Sequence, residues 1–138
     1  MKVNIALLTV TDTRTIDNDK SGGILVNKIK EANHNLIDRK ICKDNKDEIV
    51  VILNEWLKNE KIDAIITTGG TGLTGRDITP EALNEVAEKH IPGFGEIFRN
   101  ISIKTIGTSA IQSRACAVLS NGKYIFALPG SSGGVTDA

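Results

Sequence analysis

Residues 3–10 form an apolar run too short for a buried helix and suited to a central strand. A polar stretch, 11–20, separates it from Leu25, Ile29 and Ala32, which recur on one helical face. Residues 36–41 carry a second, weaker strand pattern. Ile49, Ile52, Leu53, Trp56 and Leu57 then fall at i, i+3, i+4, i+7 and i+8, the spacing of an amphipathic helix. Asn45 and Glu48 are placed to form its capping box. Residues 62–68 read as a third strand that runs directly into Gly69-Gly70-Thr71-Gly72.

The following helix starts late, with Thr79 as its expected N-cap and Pro80 at its first position. Pro92-Gly93 ends it, and Phe94, Ile97, Phe98 and Ile101 trace another helical face. Residues 115–119 and 123–128 flank Ser120-Asn121-Gly122, which predicts a hairpin with a primed turn. Strands alternating with helices imply right-handed crossovers. The expected fold is therefore α/β, three-layered α/β/α, with a mainly parallel central sheet and one antiparallel hairpin element. No repeat, low-complexity segment or linker divides the chain, so residues 1–138 read as one domain.

Composition narrows the function. Seventeen basic and seventeen acidic residues leave no net charge, so nothing points to nucleic acid or an anionic membrane. The chain enters its first strand at once, without a signal peptide, and no apolar run reaches the length of a membrane span. Cys42 and Cys116 lack metal-type spacing and read as structural thiols of a reduced, cytoplasmic protein. His34 and His90 sit in no metal spacing, Trp56 belongs to core or subunit interface, and the mixed-charge stretch 38–48 reads as solvated surface.

Ligands of open α/β sheets bind beyond the carboxyl ends of the strands. Thr11-Asp12-Thr13-Arg14, Asp44, the stretch 69–77 and the stretch 129–134 should converge there. Gly70-Thr71-Gly72-Leu73-Thr74-Gly75 has the form G-x-G-x-x-G, but a dinucleotide loop needs its helix to open inside the motif. Thr79-Pro80 puts that helix several residues later. A phosphate-binding P-loop fails as well, because Arg76-Asp77 stands where Lys and Ser/Thr are required. What remains is a turn whose backbone N–H groups can approach an anion closely.

The longer string is more specific. Thr67-Thr68-Gly69-Gly70-Thr71-Gly72 followed by Arg76-Asp77-Ile78-Thr79-Pro80-Glu81 resembles the signature of the molybdopterin-binding Mog/MoaB family. The resemblance extends to Thr9–Arg14 with Asp19 and Ser21-Gly22, to Pro92-Gly93-Phe94-Gly95-Glu96, to Ser113-Arg114 and to Leu128-Pro129-Gly130-Ser131-Ser132-Gly133. The last loop, with no proline inside it, is closer to the MoaB branch.

That resemblance implies a molybdopterin adenylyltransferase, moving AMP from Mg-ATP to the terminal phosphate of molybdopterin. It also allows a non-catalytic pterin binder, and it implies a homotrimer or homohexamer. Asp44 and Asp77 match the family's two essential aspartates. Thr11, Asp12, Thr13, Gly69, Gly70, Thr71, Gly72, Arg76, Ser113, Arg114, Pro129, Gly130, Ser131 and Ser132 match substrate-facing positions. An attacking phosphate oxygen is already anionic near neutral pH, so alignment and charge shielding matter more than a strong base. Asp77 is the better Mg²⁺ ligand candidate, and Asp44 is a second ligand or a pterin contact. Plainer readings stand beside these: Asp44 as a helix N-cap, Asp77 as a carboxylate capping the Thr79 helix, Ser113-Arg114 as a polar turn. Two departures from the family are Lys43 where many relatives have proline, and a C-terminal helix that the sequence does not display after the last glycine loop.

Overall fold

The computed structural model describes residues 1–138. Its strands are β1 (Asn4–Val10), β2 (Asn35–Cys42), β3 (Ala64–Thr68), β4 (Lys89–His90), β5 (Cys116–Ser120) and β6 (Lys123–Leu128). Its α-helices are α1 (Lys20–Glu31), α2 (Lys46–Leu57), α3 (Thr79–Val86), α4 (Pro92–Ile106) and α5 (Ser132–Asp137). The strands form one sheet in the order β2-β1-β3-β6-β5-β4. β1 is parallel to β2 and β3, and β6 is parallel to β3 but antiparallel to β5.

Each central strand is buried on both faces, so its alternating side chains feed two cores. Ala6, Leu8 and Val10 of β1 join Ile49, Leu53 and Trp56 of α2 and Leu83 of α3. Leu7, on the opposite face, joins Leu25 of α1, Leu128 and Val135 of α5, with Phe94 of α4 packed beside them. Helices thus cover both faces of a mixed sheet, the three-layer arrangement expected from the pattern. The β5–β6 hairpin closes through Asn121 (φ 49°) and Gly122 (φ 71°), the double positive φ of a type I′ turn. No helix is long and apolar enough to cross a membrane.

Several local expectations change. Thr79 is the first helical residue rather than the cap: Ile78 holds the N-cap position of α3 and makes no side-chain capping bond. Only half of the capping box forms at α2. Asn45 Oδ1 accepts from Glu48 N–H, while Glu48 Oε2 accepts from Lys43 N–H instead of reaching Asn45. On α4 the buried residues are Gly95, Phe98 and Ser102, and Ile97 and Ile101 are exposed. The short strand β4 and the 3-10 segment Gly107–Gln112 have no signal in the hydrophobic pattern. Residues 132–137, the first three of which read as the end of the glycine loop 129–134, form α5, with Val135 buried.

The 38–48 stretch is also less solvated than its charges suggest. Asp38 accepts a hydrogen bond from Trp56 Nε1 at 3.0 Å, and Arg39 pairs with the buried Asp19 at 3.2 Å. An apolar hollow of about 290 Å³ lies on the sheet face between α1 and α4, lined by Ile5, Ile66 and Phe126 among others.

Candidate functional site

The carboxyl ends of β1, β2, β3 and β6 open on one edge, and the polar loops collect there. After β3 the chain must turn back across the end of β1, and only glycine suits the turn. Gly69 has φ +100° and a Cβ there would collide with the Val10 carbonyl; Gly70 has φ +71° and its Cβ would collide with the Thr79 hydroxyl. The turn is then tied on three sides. Gly69 N–H donates to Leu128 O (2.9 Å), Thr79 Oγ1 donates to Gly69 O (2.8 Å), and Thr68 Oγ1 donates to Pro129 O (2.8 Å). Thr79 is fully buried in this role.

Two adjoining clefts meet over this turn. A polar one of about 450 Å³ is lined by Thr9, Thr11, Thr13, Arg14, Ser21, Asp44, Thr68, Gly69, Gly70, Asp77, Gly130 and Ser131. A larger one, about 960 Å³, is lined by Gly70, Thr71, Gly72, Asp77, Ser113, Pro129, Gly130, Ser131, Ser132 and the α4 residues Phe98 and Ser102. Gly70, Asp77, Gly130 and Ser131 belong to both, so they form the ridge between them. Asp12 lines neither cleft but a neighbouring hollow with Thr11, Arg14 and the start of α2. Its Oδ1 accepts from Asp44 N–H (3.0 Å) and its Oδ2 pairs with Arg76 (3.0 Å), tying the loops after β1, β2 and β3 together.

The two aspartates are pushed in opposite directions. Burial raises the pKa of Asp44, the charges of Asp12 and Asp77 raise it further, and Arg76 offsets part of this. Burial also acts upward on Asp77, but the Thr74 hydroxyl and amide, the Gly72 amide and Arg114 outweigh it and lower its pKa. One carboxylate is therefore easier to protonate and its neighbour is held ionised, the kind of divergence found where two acids take separate roles. Asp44 is not a helix cap, since Asn45 fills that position, and its carboxylate is left to the cleft. Asp77 does not cap α3 either: its Oδ2 accepts from the Thr74 amide (2.9 Å) and hydroxyl (2.7 Å), closing the glycine-rich loop on itself.

Ser113 lines the larger cleft, and Arg114 turns toward the glycine loop, donating to Gly72 O (2.8 Å) and Asp77 O (2.7 Å) and pairing with Glu81. Glu81 and the residues Thr9, Asp19, Ser21 and Gly22 fall within the resemblance without an assigned role; the last four form the floor of the polar cleft. There the Thr9 hydroxyl (2.5 Å), the Ser21 hydroxyl (3.4 Å), the Gly22 amide (3.1 Å) and Arg39 all converge on the Asp19 carboxylate. The D-x-S spacing before α1 is a cap signal, but the partner on β2, 20 positions away, leaves no local trace.

No group of three or more His, Cys, Asp or Glu side chains is arranged to hold a metal by itself. The donor set does fit a magnesium ion that arrives on phosphate: Asp44 and Asp77 line the same cleft, and one or two carboxylates commonly suffice when phosphate oxygens complete the shell.

Comparison with known proteins is consistent across sequence and structure. Residues 6–138 match the family model described as "Probable molybdopterin binding domain". The chain is 42% identical over 128 residues to molybdenum cofactor biosynthesis protein B of Escherichia coli (strain K12), spanning 93% of this chain and 75% of that protein. It is 45% identical over 136 residues to the protein of the same name from Staphylococcus aureus (strain MRSA252), spanning 96% and 80%. A crystal structure of a molybdenum cofactor biosynthesis protein B superposes with a TM-score of 0.96 at 42% identity, covering 99% of this chain and 86% of that one. The tungsten cofactor synthesizing protein MoaB from Pyrococcus furiosus superposes with a TM-score of 0.88 at 32% identity, covering 99% and 87%. The chain belongs to the Mog/MoaB family of molybdopterin-binding domains in molybdenum cofactor biosynthesis.

Proposed function

We propose that this protein binds molybdopterin at the carboxyl edge of its sheet and transfers AMP to it from Mg-ATP in the cytoplasm. The observation that carries the reading is the pair of clefts sharing one ridge at Gly70, Asp77, Gly130 and Ser131. A transfer between two phosphorylated substrates needs two adjacent pockets and a common point where their phosphates meet. On this reading the backbone amides of the glycine turn and Ser131 hold the phosphates. Arg76 and Arg14 offset their charge, and Asp44 presents a hydrogen-bonding carboxyl to the pterin edge or a second metal ligand. Asp77, held ionised, would hold Mg²⁺ with its second oxygen, and the ion would shield the repulsion between the phosphates.

A second reading, binding without turnover, is favoured by the commitment of one Asp77 oxygen to Thr74. We further propose a homotrimer or homohexamer, supported by Ile97, Ile101, Ile103 and Ile106, which α4 leaves exposed. The deciding experiment incubates purified protein with molybdopterin and Mg-ATP and follows adenylylated pterin together with released pyrophosphate. Product at catalytic turnover supports the transferase. Tight pterin binding without product leaves the binder, and neither binding nor product overturns both.

A further inference from the structure

We propose that Arg114 is a positioning residue that clamps the glycine loop from behind, with Glu81 setting its orientation. The family resemblance places Arg114 among substrate-facing positions, but three of its five N–H donors already have protein partners. Its Nε donates to Gly72 O (2.8 Å), one terminal nitrogen donates to Asp77 O (2.7 Å), and the other pairs with Glu81. Its own backbone N–H donates to Thr71 O at 3.0 Å. The segment from Thr71 to Asp77 is thus held at both ends by a single residue from the chain before β5.

The loop needs such a brace. Between the Gly70 turn and α3 it runs through Gly72, Leu73, Thr74, Gly75 and Arg76, which contribute no buried apolar side chain. Besides Asp77 closing on Thr74 and the exposed Arg76–Asp12 pair, its long-range anchors come from Arg114, and Asp77 stands where the clamp ends. Glu81, on the first turn of α3, is drawn to low pKa chiefly by its hydrogen bond with Arg114 and so stays ionised as the counter-charge. A planar guanidinium can serve two carbonyls and a carboxylate at once, and an ammonium at the same point cannot.

This geometry separates a clamp from a phosphate ligand. The activity arm of the test rests on the proposed transfer reaction, and the amide-exchange arm does not. Arg114→Lys keeps the charge and Glu81→Gln keeps Arg114 while removing its anchor. If Arg114 clamps, peptides covering residues 71–77 should exchange backbone hydrogen about tenfold or more faster in Arg114→Lys, and less so in Glu81→Gln. Exchange in β1 and β3 should stay unchanged. Turnover in Arg114→Lys should fall on the order of 10²-fold with little change in KM for ATP, as misplacement of a reacting group predicts. The double variant should be no worse than Arg114→Lys alone. Normal exchange in both variants overturns the clamp, as does a Lys variant that retains kcat and only raises KM. A wild type that makes no product overturns the transferase reading and leaves the clamp to be decided by exchange alone.

Discussion

Replacing Thr79 separates two accounts of the same residue. Its hydroxyl donates to the Gly69 carbonyl at 2.8 Å in a fully buried position, and α3 begins without a side-chain cap. In Thr79→Val the shape is kept and the donor removed, which leaves a buried carbonyl oxygen without this partner at a cost of about 1–3 kcal/mol. For a chain of this length each kcal/mol moves the melting temperature by about 3–4 °C, so Tm should fall by about 3–12 °C. Thr79→Asp is the sharper variant. Aspartate is a favoured N-cap, so a capping role predicts near-normal stability. A tether predicts the reverse, because a carboxylate cannot donate to Gly69 O and its charge would be buried beside it, costing more than the Val variant. Urea unfolding followed by tryptophan fluorescence, with the m-value unchanged, gives the free energies. If Thr79→Asp proves as stable as wild type while Thr79→Val is not destabilised, the tether is refuted.

Lys123 is buried, with its ammonium donating to Leu57 O (2.9 Å) and Asn59 O (2.7 Å) at the end of α2, so Lys123→Met should cost about 2–3 kcal/mol in urea unfolding. Asp19→Asn strands Arg39 and should cost about 2–3 kcal/mol at pH 7. Burial opposes the ionised Asp19, but Thr9, Gly22 and Arg39 lower its pKa below the usual value. Its stabilisation is therefore present above pH ~4 and lost as pH falls through the lower folded value. The gap between wild type and Asp19→Asn should accordingly narrow in acid, and a constant gap down to the acid transition would contradict the assignment. Asp77→Asn should lower product formation on the order of 10²–10³-fold with little change in Tm, because the amide oxygen still accepts from Thr74. Equal loss of pterin binding in that variant would argue against a role confined to transfer.

The sheet was legible because strand and helix periods differ and the central strands are plainly apolar. The hairpin was legible for a local reason, Asn-Gly flanked by alternating residues. The site edge followed from topology once those strands were placed. Misreadings came where a residue has two chemically sensible partners. Thr79 precedes a proline and looks like a cap, but its hydroxyl is used by a glycine turn ten positions earlier. Arg114 falls among substrate-facing positions by resemblance, and its guanidinium is taken up by carbonyls some forty positions away. Ile97 and Ile101 satisfy a helical spacing, yet Gly95 and Phe98 face the sheet instead, because hydrophobic period alone does not say which flank is covered. Asp19 and Arg39 carry no shared local pattern at all.

The place of β6 in the sheet bears on how the protein is made. It enters between β3 and β5, so the middle of the sheet is completed by the last of the six strands in chain order. As the chain emerges during synthesis, β1, β2 and β3 can pair first, with one side of β3 left open. Gly69 meanwhile has no Leu128 carbonyl to hold, and Thr68 no Pro129. The glycine turn therefore lacks two of its three ties until β6 and the loop after it have been translated. The same delay leaves the open flank of β3 as the window in which nascent chains are most prone to pair with one another.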